Sequence, residues 1–204
     1  LAGSGTITAN GASGKTSVDS NSYGASGGGR IAVRLTGAES TFSDSWKDRI
    51  LARGYTHASN LTNPTNSASA GSIYLQTAAQ PEKGGTIIIR NDGVVGNLAW
   101  TPIPSSALGD SAADFKKASL SLAACGKARL FETLQAETLS MESDTVLDVN
   151  GKTLVVRTLQ TGGANVPSGT YAAGSALFTE GYVTDSAGGG SVVVLGASTL
   201  VVIR

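Results

Sequence analysis

Two stretches of this chain repeat each other at a distance of 42 to 43 residues, and that spacing limits the folds open to it. Ile7-Thr-Ala-Asn-Gly11 matches Ile50-Leu-Ala-Arg-Gly54 in pattern. A polar stretch follows each copy, from Ala12 to Ala25 and from Tyr55 to Ser67. Each then leads through small residues into a β-branched run, Ala25-Ser-Gly-Gly-Gly-Arg-Ile31-Ala-Val33 in the first and Ala68-Ser-Ala-Gly-Ser-Ile73-Tyr-Leu75 in the second. A unit of this length, built from short strands and glycine turns, cannot bury a core alone and is expected to stack on its neighbours.

The rest of the chain reads as strands. Arg30–Leu35, Ser72–Gln76, Thr86–Arg90, Thr153–Arg157 and Ser191–Leu195 alternate apolar and polar residues and are rich in β-branched side chains. Shorter runs follow Ala118: Leu120–Leu122, Ala128–Phe131, Glu137–Leu139, Val146–Val149 and Thr153–Val156. Helical periodicity is nearly absent, with two short exceptions at Asp110–Ala118 and Ser43–Arg49. Strands less than ten residues apart leave no room for the helical crossovers of βαβ units. A parallel solenoid escapes that requirement, because successive strands lie on different faces and pair one coil later. Ile87-Ile-Ile89 and Val192-Val-Val194 fit strands packed on both sides. Asn150-Gly151 is a strong turn signal, either a hairpin or a corner where the chain changes sheet. The glycines Gly27 to Gly29 are expected at a corner.

Composition narrows the function classes. Glycine makes up 27 of 204 residues, about twice the usual ~7%. Lys and Arg balance Asp and Glu at 15 each, which excludes a globally basic nucleic-acid binder. No apolar run approaches the ~18 residues of a membrane-spanning helix. A single cysteine, Cys125, excludes an intrachain disulfide framework, and its small apolar neighbours suggest a buried thiol. The one histidine, His57, has no local motif joining it to that thiol. The chain opens at Leu1 directly in a strand pattern and reads as a fragment of a longer protein.

Motifs that carry chemistry are scarce. Gly27-Gly-Gly29 lacks the Gly-Lys-Ser/Thr and the helix of a phosphate loop, and Gly11-Ala-Ser-Gly14-Lys15-Thr16 lacks the four-residue gap. Gly188-Gly-Gly190 lacks the aspartates of a calcium nonapeptide. Asp44, Lys47, Asp48 and Arg49 form the densest charge cluster, the one place where a carboxylate could act on a polyuronate. Solvated ion pairs account for it as well. No catalytic residue, metal ligand or cofactor is assigned. The candidate ligand contacts are Trp46, Tyr55, Tyr74 and Trp100, whose flat amphipathic rings suit sugar rings.

Gly3-Ser-Gly-Thr-Ile-Thr-Ala-Asn-Gly11 with Gly27-Gly-Gly-Arg-Ile-Ala-Val33 resembles the repeats of bacterial surface and secreted proteins built as right-handed parallel β-helices. Val146-Leu-Asp-Val-Asn-Gly-Lys-Thr-Leu154, Val166-Pro-Ser-Gly-Thr-Tyr171 and Gly190-Ser-Val-Val-Val-Leu195 are similar to the C-terminal passenger segments of autotransporter-like proteins. The resemblance implies export to the cell surface or beyond, a β-helical stalk, and contact with polysaccharide or cell-surface glycan. The resulting expectation is an all-β, right-handed parallel β-helix over residues 1–204. It comprises repeat coils at 1–90, a loop excursion at 91–118, and C-terminal coils with a cap at 119–204, the cap within Gly162 to Gly190. An antiparallel β-sandwich is the alternative fold. The expected role is structural and adhesive, as part of a secreted or surface adhesin. A carbohydrate-active β-helix enzyme (lyase or hydrolase) and a carbohydrate-binding module are the alternatives. No nucleic-acid partner and no membrane-spanning segment are expected.

Overall fold

The structure is a computed structural model that describes residues 4–12, 25–42, 48–55, 68–92, 94, 99–109 and 115–196. It is mostly β, with three sheets of two, four and nine strands. The repeat seen in the sequence becomes strand pairing. Strand β1 (Ile7–Thr8) lies parallel to β3 (Ile50–Leu51), with Ile7 opposite Ile50. Strand β2 (Arg30–Arg34) lies parallel to β4 (Ser72–Gln76), with Ile31 opposite Ile73. The two copies therefore stack in register, one in the small sheet and one at the edge of the large sheet.

The second half repeats the arrangement at a shorter interval. Its strands are β5 (Thr86–Arg90), β6 (Thr101–Pro102), β7 (Ser119–Ala123), β8 (Lys127–Arg129), β9 (Leu134–Met141), β10 (Val146–Asp148) and β11 (Thr153–Thr161). They continue with β12 (Ala164–Asn165), β13 (Gly169–Tyr171), β14 (Val183–Thr184) and β15 (Ser191–Val194). From β7 to β11 the chain alternates between the large sheet and the four-stranded sheet. Each strand pairs in parallel with the next strand but one. Lys127 faces Val146, 19 residues on, and Leu134 faces Leu154, 20 residues on.

This register piles like on like. Ile87, Leu120, Leu139 and Leu159 form one in-register column, and Leu134, Leu154 and Val192 another. Every one of these side chains is buried. At ~1.5–3 kcal/mol for each large aliphatic side chain removed from water, the columns are the main stabilising feature. Strand β9 also turns within itself. Its alternation slips by one residue at Glu137–Thr138, and β11 slips at the equivalent Arg157–Thr158. The slip leaves Glu137 and Arg157 side by side, ion-paired at 3.0 Å across the stacked corners.

Two corners show how the sequence makes the path. Asn150-Gly151 is a corner: β10 enters it from the four-stranded sheet and β11 leaves it in the large one. Both residues are left-handed, at φ +49° and +72°, which is what the Asn-Gly pair permits. Gly27 to Gly29 run straight into β2 with no left-handed residue among them, so their glycines serve close approach instead. A Cβ on Gly28 would sit 2.0 Å from the Ala52 carbonyl oxygen, and one on Gly71 would sit 1.7 Å from that of Gly29. Helical structure differs from expectation too. The α-helix, α1 (Ala176–Thr179), and a 3-10 turn at Ser106–Leu108 fall where no helix was expected. Of the two expected helices, 43–47 and 110–114 lie outside the described residues.

The stack is not parallel throughout. β4 and β5 pair antiparallel, with Ile73 opposite Ile88, and so divide the large sheet into two parallel blocks running in opposite directions. The reversal is made by the turn Pro81–Gly84, closed by Gly84 N–H donating to the Pro81 carbonyl. It is fixed by polar contacts: Tyr74 OH donates to Gln76 Oε1 and accepts from Gly85 N–H, and Gln76 Nε2 donates to the Pro81 carbonyl. The covered face changes at the same place. Ile73 and Leu75 face a core shared with Ile50 and Ala52 of the small sheet. Ile87 and Ile89 face the opposite side, into the core shared with Ala128, Leu147 and Val183 of the four-stranded sheet. Strand direction and roofed face reverse together.

Nine of the twelve strand pairings are parallel, so a purely antiparallel sandwich does not describe these sheets. At the far end of the large sheet, β13 lies antiparallel over β15 and satisfies the edge that a further coil would otherwise use. Leu177 of α1 plugs the core beneath it. The stretch 91–118 is not wholly apart from the core: it supplies β6, which pairs with β8, and buries Ile103.

Candidate functional site

The four-stranded sheet places residues of successive strands side by side, with Pro102, Arg129, Asp148 and Thr184 in one row. Trp100, immediately before β6, sits beside the cations of β8. Lys127 Nζ is 5.6 Å and Arg129 Cζ 4.9 Å from its ring centroid, within cation–π range. Arg129 Nε also donates to Asp148 Oδ2 at 2.7 Å. Asp148 is fully buried and accepts three more hydrogen bonds, from Ser186 N–H (3.0 Å), Ser186 Oγ (2.7 Å) and Asn150 N–H (2.9 Å).

Burial alone would raise the Asp148 carboxyl. The Ser186 and Asn150 donors together with Arg129 outweigh it and hold the group below the ordinary carboxylate range. Asp185, next to Ser186, is also held low, chiefly by the Gly190 N–H and further by those of Gly151 and Gly188. Burial lowers the Lys127 ammonium. The row is thus a self-satisfied latch. It ties β8 to the Asn150–Gly151 corner and to the loop after β14, with its charges committed to one another.

Cys125 differs from the buried apolar thiol expected. It is half-buried at a corner where Ala124 and Cys125 are both left-handed (φ +44° and +65°). The corner is held by carboxylates of the following turn: Ala124 N–H donates to Glu142, and Cys125 N–H and Sγ both donate to Asp144 Oδ2. Burial and then the Asp144 carboxylate push the thiol up to about 11, so it is protonated and poorly nucleophilic at neutral pH. In the charge cluster, Asp44 and Lys47 lie outside the described residues, as does His57. Asp48 pairs with Arg90 at 3.2 Å, and Arg90 also binds Asp92 at 2.7 Å. Among the described residues no three of His, Cys, Asp and Glu come together as metal ligands.

The four predicted aromatic contacts fall in different places. Trp46 lies outside the described residues. Tyr55 follows β3 and is held by its backbone to Ser26 and Ala68. Tyr74 packs against the larger core and has its hydroxyl committed at the antiparallel seam. Trp100 is engaged by Lys127 and Arg129. The sequence reading missed the Arg129–Asp148–Ser186 latch. Its one available signal was the 19-residue separation of Arg129 and Asp148, which equals the coil length.

A groove opens on the other face of the large sheet, at the seam. Its volume is about 420 Å³, and Phe42, Leu75 and Ile88 form its apolar lining. Thr41, Thr77, Thr86 and Ser121 bring hydroxyls to it. The register accounts for the floor: Leu75 lies opposite Thr86, and Ile88 opposite Ser121.

Compared with known protein families, curated proteins and solved structures, the chain matches none of them.

Proposed function

We propose that this chain is a stacked-coil solenoid, a right-handed parallel β-helix in its resemblance, that serves as a structural and adhesive segment of an exported bacterial surface protein. One observation carries the reading: in each half, the chain alternates between two sheets and meets its parallel partner one constant interval later, 42–43 residues in the first block and 19–20 in the second. The seam is compatible with a single winding. Reversing strand direction and covered face together amounts to a half-turn about the stacking axis, and a half-turn preserves handedness.

Such a stack suits a stalk. Each added coil buries apolar surface on the last, so length grows without a larger globular core. No described helix is long and apolar enough to cross a membrane. Adhesion, in this reading, is contact with surface polysaccharide. The test uses antibodies raised against the chain on intact cells of the source organism. Labelling without permeabilisation is expected, and labelling only after permeabilisation contradicts the assignment. Release of unsaturated uronates from polyuronate incubated with the chain would replace the structural reading with a lyase.

A further inference from the structure

We infer that the groove at the antiparallel seam is a binding site for a neutral saccharide, a deepening that rests on the adhesive reading. The groove follows from the topology. The small sheet roofs β2 and β4 on one face, and the four-stranded sheet roofs the strands from β5 onward on the opposite face. Where the roof changes sides, the Ile88 face of β5 and the Ser121 face of β7 lose their cover and become the floor of a recess beside Phe42 and Leu75.

The lining selects the ligand class. No ionisable side chain lines the recess, so it offers nothing to a phosphate, a carboxylate or an ammonium group. β4, β5 and β7 are each paired on both sides within the sheet, so no strand edge is open to an added peptide. A lipid would leave the rim hydroxyls unpaired. Among the described residues, the hydroxyls of Thr41, Thr77, Thr86 and Ser121 have no intramolecular hydrogen-bond partner. Four such groups around a floor of Phe42, Leu75 and Ile88 match a pyranose, which carries hydroxyls at its rim and C–H groups on its face. At about 420 Å³ the recess falls within the ~300–1,000 Å³ of small-ligand sites.

The test is amide chemical-shift titration of the whole chain with lactose, cellobiose and N,N′-diacetylchitobiose, with digalacturonate as the charged control. Saturable shifts centred on the amides of Thr86, Ile88 and Ser121 are expected with at least one neutral disaccharide and not with digalacturonate. Phe42→Ala should weaken binding about tenfold, the scale of one lost aromatic contact. Ser121→Phe, which fills the floor from a half-buried position, should abolish it while the spectrum keeps its dispersion. Trp100→Ala should leave it unchanged. The proposal is overturned by absence of saturable shifts with all three sugars, by equal binding of digalacturonate, or by shifts centred on Trp100. Any of these leaves the surface-labelling result, and with it the structural reading, intact.

Discussion

Replacing Asp148 tests whether the latch on the four-stranded sheet holds the C-terminal coils together. The carboxylate is fully buried and accepts four hydrogen bonds, one of them from a guanidinium. Asp148→Ala strands the Ser186 and Asn150 N–H groups in a buried site and frees Arg129 from its carboxylate. Breaking a buried ion pair typically costs ~3–5 kcal/mol. Arg129 is 28% exposed and keeps its contact with Trp100, so the lower end applies, about 3 kcal/mol. Asp148→Asn keeps the shape and one acceptor oxygen, and the expected loss is about 2 kcal/mol, the scale of a hydrogen bond to a charged group. Urea unfolding followed by far-UV circular dichroism measures both.

The pH dependence has a fixed sign. The folded carboxyl titrates below its unfolded value of ~3.9, so its contribution is full above pH ~4 and is lost as the pH falls through the lower, folded pKa. Wild type should therefore lose stability relative to Asp148→Asn only under acid conditions, below pH ~4. A variant within ~0.5 kcal/mol of wild type at pH 7, the range of an ordinary surface substitution, would refute the argument that this carboxylate is a structural tie.

Two further predictions rest on single residues. Gly71→Ala should destabilise by ~3 kcal/mol, the upper end for forced overpacking, because the new Cβ would meet the Gly29 carbonyl at 1.7 Å. Gly109→Ala has open space and should cost only the ~1–2 kcal/mol of a left-handed residue; equal effects of the two in thermal melts would sink the close-approach argument. Cys125 should react with a disulfide reagent at pH 8 far more slowly than a free thiol of pKa ~8.5, and Asp144→Asn should speed it, since that carboxylate raises the thiol; a rate equal to free cysteine contradicts the geometry at this corner.

Much of the architecture was legible in local patterning. The 42–43-residue repeat translated directly into Ile7 opposite Ile50 and Ile31 opposite Ile73, because repeated apolar spacing is the condition for stacking in register. The antiparallel seam was not legible. Its turn residues, Pro81 to Gly84, are compatible with a hairpin or a coil corner, and only the side taken by Ile87 and Ile88 decides between them. The Asn150–Gly151 signal located a turn but left hairpin and corner equal. The latch was hidden for a related reason. Arg129, Asp148 and Ser186 are far apart along the chain, and neighbours across a stack can be read only once the coil length is known. The aromatic residues fared differently, since composition cannot say that Tyr74 would spend its hydroxyl on a turn.

The central claim is that outward residues one coil apart are neighbours. Overall shape tests it poorly. Eight strands abreast in the large sheet span only ~34 Å at the ~4.8 Å strand spacing, comparable with a compact chain of this length, whose radius of gyration is ~17 Å. Nitroxide labels test it directly. Ser140 faces Ser121 on one side and Gln160 on the other. With Cys125→Ser as background, labels at 121/140 and at 140/160 should lie one ~4.8 Å strand spacing apart and show strong spin–spin broadening, and labels at 121/160, two spacings apart, should show much less. Sharp, non-interacting spectra for the 140/160 pair would contradict the stacked register.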